Sequence, residues 1–387
     1  MFVLLEPPSC MGQSACDALW SIRVEGIPKE YSFFLPFGIH RQSSQHQLDS
    51  INGFLTLSQL RAWLVHLESE GFLDFVQIFS DTLAAHLASA PTLTWHAEKK
   101  KFNLNLSYPR IMGIINVTPD SFSDGGCFFQ TDQAVAHGCR LAAEGADILD
   151  IGGESTRPGS LAISEQEELD RVIPVIERLV RQVDIPISID TSKPAVMMEA
   201  LAAGAAMIND VTALQAFQNH PLGMDVATKS LTDNEIPIIL MHMRAPPATM
   251  QQAPTYQNVV SEIYTFFMQK IKDCDKLGIG RHRLIIDPGI GFGKTTQHNL
   301  ELLRHLKTFR GLGLPILLGI SRKRFIGELT GIEYAHQRDI ASHMLAILCS
   351  MFGGADLLRV HDVAGSVQAL KAAHGWLRHD NSLEVAD

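Results

Sequence analysis

Residues 185–210 read "IPISIDTSKPAVMMEALAAGAAMIND". A short apolar run ends in Asp190, a stretch with helical spacing follows, and a second apolar run ends in Asn209 and Asp210. Short Ile/Val/Leu runs bounded by turn residues read as buried strands, and strand–helix–strand succession is the building unit of a parallel sheet. The unit recurs on both sides of this stretch. Further runs are "RIMGIINV" (110–117), "DILDIGG" (147–153), "IPIILMH" (236–242), "RLIIDPG" (283–289), "PILLGIS" (315–321) and "LLRVHD" (357–362), which makes eight. Helical spacing occupies the intervals at about 131–145, 164–183, 194–204, 258–277, 298–311 and 338–353, with a final helix at 364–378 and a weaker one at 222–232. Eight such units over about 280 residues predict an α/β fold, a closed (β/α)8 TIM barrel. The doubly wound open sheet has the same alternation and is the alternative.

The ends of the runs carry the chemistry. They finish in Asn116, Gly153-Glu154, Asp190, Asn209-Asp210, His242, Asp287, Ser321 and His361. Helix capping accounts for a few polar residues at such places but not for a ring of them. In a barrel all eight carboxyl ends open on one face, and that face holds the active site.

Composition narrows the class. The chain has 387 residues, 46% of them apolar, and a net charge of −10, which argues against a nucleic-acid surface and requires any anionic substrate to meet a local cluster of cations. The six Cys (10, 16, 127, 139, 274 and 349) form no CxxC pair, so neither a zinc site nor a disulfide framework is indicated. "MFVLLEPPSCMG" lacks a basic n-region and is broken by Glu6 and two prolines, unlike a signal peptide. No run reaches the roughly 18 apolar residues of a membrane span, and the expectation is a cytoplasmic protein with no membrane partner.

Residues 1–105 differ in texture and are expected to form a small accessory domain ahead of a barrel spanning 106–387. "LTLSQLRAWLVHLESEG" (55–71) and "FLDFVQIFSDTLAAHLAS" (72–89) have the spacing of two amphipathic helices. "KEYSFFLPFGIHR" (29–41) suits a strand pair or a loop, and "AEKKKFNLNLSYP" (97–109) reads as a polar linker. No catalytic constellation is visible in this region.

Two loop motifs give the strongest signal. "NVTPDSFSDGG" (116–126), followed about 30 residues later by "DIGGESTRPG" (150–159), resembles the dihydropteroate synthases of the folate pathway. "SID", "IND", "DPGIGFGK", "SRK" and "RVHD" match in the same order, so the resemblance covers 106–387. It does not reach the first hundred residues, which are too short for the pterin pyrophosphokinase that some relatives carry upstream.

The resemblance implies condensation of 6-hydroxymethyl-7,8-dihydropterin pyrophosphate with 4-aminobenzoate, releasing pyrophosphate. An aromatic amine is neutral at pH 7 and needs no strong base. The first loop therefore need not supply a base; its implied task is to close, exclude water and shelter a carbon becoming cationic as pyrophosphate departs. Asn116 is implied as ligand of Mg²⁺ and pyrophosphate, since a single amide oxygen suits an ion that keeps phosphate oxygens and waters. Asp124 is implied beside the pterin cation, and Phe122 as an apolar wall for aminobenzoate. Thr156 is implied at the pyrophosphate, with Arg157 and Pro158 at the aminobenzoate.

The pterin edge suits the carboxylate of Asp287 and the cation of Lys323, with Asp190 and Asn209 adding acceptors and an amide. Phe292 is an implied ring neighbour or a core residue. Arg359 and His361, two apart on the last run and hence on one face, are implied at the pterin and the departing phosphates, and with Asp124 they form the catalytic set. Asp362 faces the other way and reads as structural. Gly293-Lys294-Thr295 mimics the end of a Walker A motif, but Pro288 stands where its first glycine belongs, which leaves Lys294 a weaker candidate. Arg324 departs from the Ser common in relatives and adds a cation near the aminobenzoate carboxylate, so sulfonamide sensitivity does not follow from the resemblance. A homodimer through barrel helices is implied by the resemblance alone. A pterin-dependent methyltransferase on the same barrel, or a regulatory protein with a degenerate barrel, would not need to keep all these charged residues.

Overall fold

The computed structural model describes residues 2–6, 19–28, 35–36, 39–42, 48–88, 91–97, 100–118, 127–155, 160, 162–218, 231–232, 234–246, 249–251 and 253–377. The first layer is an antiparallel sheet of β1 (Phe2–Glu6), β2 (Leu19–Pro28), β3 (Ile39–Gln42) and β4 (Leu48–Thr56), in the order β1-β2-β4-β3. Helices α1 (Leu57–Ser69) and α2 (Leu73–Leu87) cover it, as their spacing predicts. Thr56 caps α1 reciprocally with Gln59, which satisfies donors that the first helical turn leaves open. Ile22, Val24, Ile51 and Leu55 from the sheet meet Leu60, Trp63, Phe75 and Phe79 from the helices in a core of their own. Trp63 stands edge-on to both phenylalanines at 5.8 Å, the arrangement that aromatic quadrupoles favour.

The segment expected as a polar linker is not one. Thr92–Ala97 (β5) and Lys100–Asn105 (β6) form a hairpin whose Leu93, Trp95 and Leu104 are buried in the barrel's core. Trp95 Nε1 donates to the Ala206 carbonyl at 2.8 Å. The Lys and Asn residues that suggested a linker alternate with these buried residues, and a hairpin with one face buried reads as polar on average.

Eight parallel strands follow: β7 (Arg110–Asn116), β8 (Ile148–Gly152), β9 (Ile187–Asp190), β10 (Met207–Asp210), β11 (Ile238–Met241), β12 (Leu284–Asp287), β13 (Leu317–Leu318) and β14 (Leu357–Val360). Their order is β12-β11-β10-β9-β8-β7-β14-β13, and a parallel bridge between Ile286 and Ile316 joins the two edges, which closes the (β/α)8 barrel. Helices at 165–179, 194–202, 259–276, 339–353 and 363–377 fall where the spacing puts them. The expected 298–311 helix divides into Thr296–Arg304 and a tighter 3-10 segment, Leu306–Leu312, and a helix at Arg324–Thr330 was not foreseen. All but residues 231–232 of the weaker helix at 222–232 lie outside the described residues. Across the seam between sheet and barrel, Glu6 of β1 pairs with His305 and accepts from Thr308 at 2.8 Å, while Glu25 accepts from Ser261 at 3.0 Å. Cys139, Cys274 and Cys349 are free, and burial pushes the last two thiols up to about 12.

Candidate active site at the carboxyl mouth of the barrel

The register of the strands sets the site. Cross-strand partners run Asn116–Gly152–Asp190–Asn209, one continuous row over β7, β8, β9 and β10. The row brings three sequence-predicted residues to one level at the strand ends. Gly152, between Asn116 and Asp190 in the row, lies against the Asp190 side chain: a Cβ there would be in ordinary contact with it at 3.5 Å.

Arg359 reaches into this group from β14. Its Nε donates to Asp150 Oδ2 at 2.6 Å and its second terminal nitrogen to Asp190 Oδ2 at 2.6 Å. Asn209 Nδ2 donates to the same Asp150 oxygen at 3.0 Å. Asp150 is fully buried, and Oδ1 of both Asp150 and Asp190 is buried without a hydrogen-bond partner among the described residues. Burial raises the Asp190 pKa, Arg359 opposes the rise, and the neighbouring Asp150, Glu168 and Asp210 add to it. Arg359 is raised despite its own burial, because the two carboxylates hold its charge.

A second cluster closes the opposite side. Asp287 is buried at the end of β12 and accepts from the Gly289 N–H at 2.7 Å. Burial raises its pKa, with Lys323 as the main opposing charge. Lys323 donates to the Ile290 carbonyl and lies 4.5 Å from the centroid of the Phe292 ring. Burial lowers it to about 8, against the pull of Asp287. Arg359 acts on both groups, so the two clusters share one electrostatic environment.

Local backbone aims these side chains. Arg322 takes a left-handed φ of 60°, a strain of roughly 1–3 kcal/mol, and is held there by a two-point bond to Asp339 at 2.7 and 2.8 Å. In "DPGIGFGK", Gly289, Gly291 and Gly293 all have positive φ. A Cβ on Gly289 would overlap the His242 carbonyl oxygen. Lys294 is turned inward, donating to the carbonyls of Gly289 at 2.8 Å and Phe292 at 3.0 Å; it ties the loop together and is not offered to a ligand. Ser321 Oγ meets both the backbone N–H of His361 and its Nδ1, at 3.2 and 2.9 Å. Asp362, read as structural, accepts from Gly365 N–H at 3.1 Å and pairs with His343 at 3.2 Å.

Asn116, Asp190, Asn209, Asp287, Phe292, Lys323, Arg359 and His361 thus lie at the carboxyl ends of the strands or in the loops just beyond them. Arg324 differs: its side chain is 84% exposed and pairs with Glu328 one turn along its own helix at 2.8 Å. Phe122, Asp124, Thr156, Arg157 and Pro158 lie outside the described residues. Asp150 was missed. It lies inside an apolar run, and a lone carboxylate among the five apolar or glycine neighbours of "ILDIGG" was the available signal.

These features define a (β/α)8-barrel enzyme whose polar mouth suits a flat, hydrogen-bonding ligand. The family model of the pterin-binding enzymes matches residues 112–361. The dihydropteroate synthase of Haemophilus influenzae is 46% identical over 268 residues, which is 69% of this chain and 94% of that protein. Among solved structures, the Xanthomonas albilineans dihydropteroate synthase with 4-aminobenzoic acid is 50% identical, with a TM-score of 0.67, and covers 74% of this chain and 98% of its own. The same enzyme in complex with 7,8-dihydropteroate is 48% identical with a TM-score of 0.64, covering 73% and 98%. The chain belongs to the dihydropteroate synthase family of transferases. Among the described residues no helix is long and apolar enough to cross a membrane.

Proposed function

We propose that the mouth joins 6-hydroxymethyl-7,8-dihydropterin pyrophosphate to 4-aminobenzoate, giving 7,8-dihydropteroate and pyrophosphate, with the roles that follow. Buried acceptors without donors support this reading most directly: the free oxygens of Asp150 and Asp190 match the N–H-rich edge of a pterin. Asp287 accepts from the ring N–H and 2-amino group, and Lys323 donates to the ring carbonyl. Asp190 and Asn209 complete the edge, Phe292 flanks Lys323, and the guanidinium of Arg359 lies against the heterocycle.

The amine nitrogen forms a bond to the exocyclic carbon, the carbon–oxygen bond to pyrophosphate breaks, and the amine gives up a proton to solvent. Asp124 stabilises charge at that carbon. Asn116, Thr156, Arg359 and His361 receive the leaving group, whose roughly three charges need several donors. Phe122, Arg157 and Pro158 form the aminobenzoate side. Arg324, exposed on its helix, serves the carboxylate of aminobenzoate at most from the rim.

Mg²⁺ is part of the proposal. The described residues hold no group of three or more His, Cys, Asp or Glu that could hold a metal ion. The amide oxygen of Asn116 suits an ion that brings its other oxygens from the diphosphate and water, and such an ion would neutralise the leaving group. Pyrophosphate release that requires both 4-aminobenzoate and Mg²⁺ tests the reading. Release without the amine would make the protein a hydrolase instead.

The same proposal extends to a homodimer. Ile340, Met344 and Leu348 recur every four residues along the 339–353 helix as an exposed apolar stripe, with Ile340 85% exposed, and Leu329 and Trp376 are exposed on the flanking helices. A mass of one chain by light scattering would remove this part.

A further inference from the structure

At the described stems of the second loop motif lies an ion triad that the reaction scheme does not use. Lys193 Nζ donates to Glu154 Oε2 at 2.7 Å and to Glu168 Oε2 at 2.5 Å. Glu168 is fully buried, and the side chains of Lys193 and Glu154 are each only 18% exposed. Burial acts to lower the lysine pKa, but the two carboxylates outweigh it and the net shift is upward, so the ammonium stays charged.

The location of the triad gives it meaning. Glu154 lies two residues beyond the end of β8, and its other oxygen accepts from the Ile163 N–H at 3.0 Å, which joins the two ends of the 154–163 segment through one carboxylate. Ser160 adds a second staple by donating to the Ser155 carbonyl. Lys193 lies three residues beyond Asp190 and opens the helix that follows β9. Glu168 belongs to the next helix of the same segment, packed so closely on the β8 exit that a Cβ on Gly153 would collide with Val172 and press on Glu168. One ammonium therefore connects the stems that flank the proposed aminobenzoate residues to the strand carrying a proposed pterin residue.

We infer that Lys193 and Glu154 are positioning residues for the second substrate: their ion pair, seated on Glu168, fixes the stems of the 154–163 segment against β9 and so sets the aminobenzoate side of the site. The inference rests on the proposed reaction. A freely hinged stem would let the segment sample geometries that bind the amine poorly, while Asp190 stays held by Arg359 and the other pterin contacts, on other strands, stay in place.

The test uses the full chain and compares Lys193→Met, Glu154→Gln, the double variant and Lys193→Arg. Lys193→Met and Glu154→Gln should each raise the KM for 4-aminobenzoate about tenfold, equivalent to about 1.4 kcal/mol, and leave the pterin pyrophosphate Kd within about twofold. The double variant should be no worse than Lys193→Met alone, because that substitution already breaks the Lys193–Glu154 pair. Lys193→Arg should recover most of the loss. Equal weakening of both substrates together with a fall in Tm would reduce the triad to a structural role, and an unchanged aminobenzoate KM in folded variants would overturn the inference. Should Lys193→Met fail to fold, Glu154→Gln, which removes the charge of the partner that is not fully buried while keeping its size, carries the test alone. Absence of product from the wild-type chain would instead overturn the reaction itself.

Discussion

Replacing Arg359 with Met removes the one cation shown bonded to both Asp150 and Asp190. Two buried carboxylates on adjacent strands would then face each other without it. Breaking a buried ion pair by deleting one partner costs about 3–5 kcal/mol, since the remaining charge keeps its desolvation penalty. The folded protein can relieve that penalty by protonating a carboxylate, and Asp190 is already raised by burial even with Arg359 present. A carboxylate whose folded pKa exceeds its unfolded value contributes most stability when protonated, and that contribution falls as pH rises through the folded pKa. The deficit of the variant should therefore be widest above that pKa and shrink on acidification. Within the window each pH unit changes it by about 1.4 kcal/mol per titrating group. Urea unfolding followed by circular dichroism should show a loss of about 3–5 kcal/mol relative to wild type near pH 8, and about 1–3 kcal/mol less near pH 6. A deficit that is constant with pH, or that grows in acid, would refute the idea that Arg359 holds down the pKa of Asp190.

Lys323→Ala and Asp287→Ala should each weaken pterin binding by about 2–4 kcal/mol in calorimetric titration, and near-wild-type affinity in either would remove the pocket assignment. Pterin affinity in the wild-type protein should fall as pH rises through about 8, where Lys323 loses its proton, and Lys323→Met should lack that inflection. Gly289→Ala combines left-handed strain of about 1–3 kcal/mol with overpacking against the His242 carbonyl of about 1–3 kcal/mol, so a clear fall in Tm is expected, and an unchanged Tm would discredit the loop geometry. Deleting residues 1–88 should leave a soluble chain that still forms product. Deleting 1–105 also removes Leu93, Trp95 and Leu104 from the barrel core, at about 1.5–3 kcal/mol for each buried apolar side chain, and should abolish folding; equal stability of the two truncations would show that the hairpin does not support the barrel.

What could be read from the sequence followed from how strongly each position is constrained by its own neighbours. Strand runs such as "IPISID" and "RLIIDPG" are buried on both faces, so their apolar continuity is local information and their polar last residues stand out against it. That is why Asp190, Asn209, Asp287 and Arg359 were legible as a set before any coordinate placed them around one mouth. Residues whose role depends on a partner far along the chain were not legible. Asp150 receives Arg359 from 209 positions away, and Lys193 joins Glu154 and Glu168 across 39 and 25. In sequence Asp150 is a lone polar residue in an apolar run, Glu168 one acid among several in a helical stretch, and Lys193 and Glu154 ordinary polar residues beside turns. The hairpin at 92–105 failed for a related reason: its exposed face supplies the lysines and asparagines, while its buried face is recognisable only once the open amino end of the barrel is there to receive it. Arg324 shows how little of a side chain's setting the sequence around it reveals. It stands where relatives commonly carry Ser, which implied a cation near the aminobenzoate carboxylate; one residue beyond Lys323 a helix turns the side chain by roughly 100°, and Arg324 is exposed and meets Glu328. Closeness along the chain predicts a shared face only where the backbone geometry between two residues is known, and at the "SRK" turn that geometry includes a strained left-handed arginine whose stabilising partner, Asp339, lies 17 residues downstream.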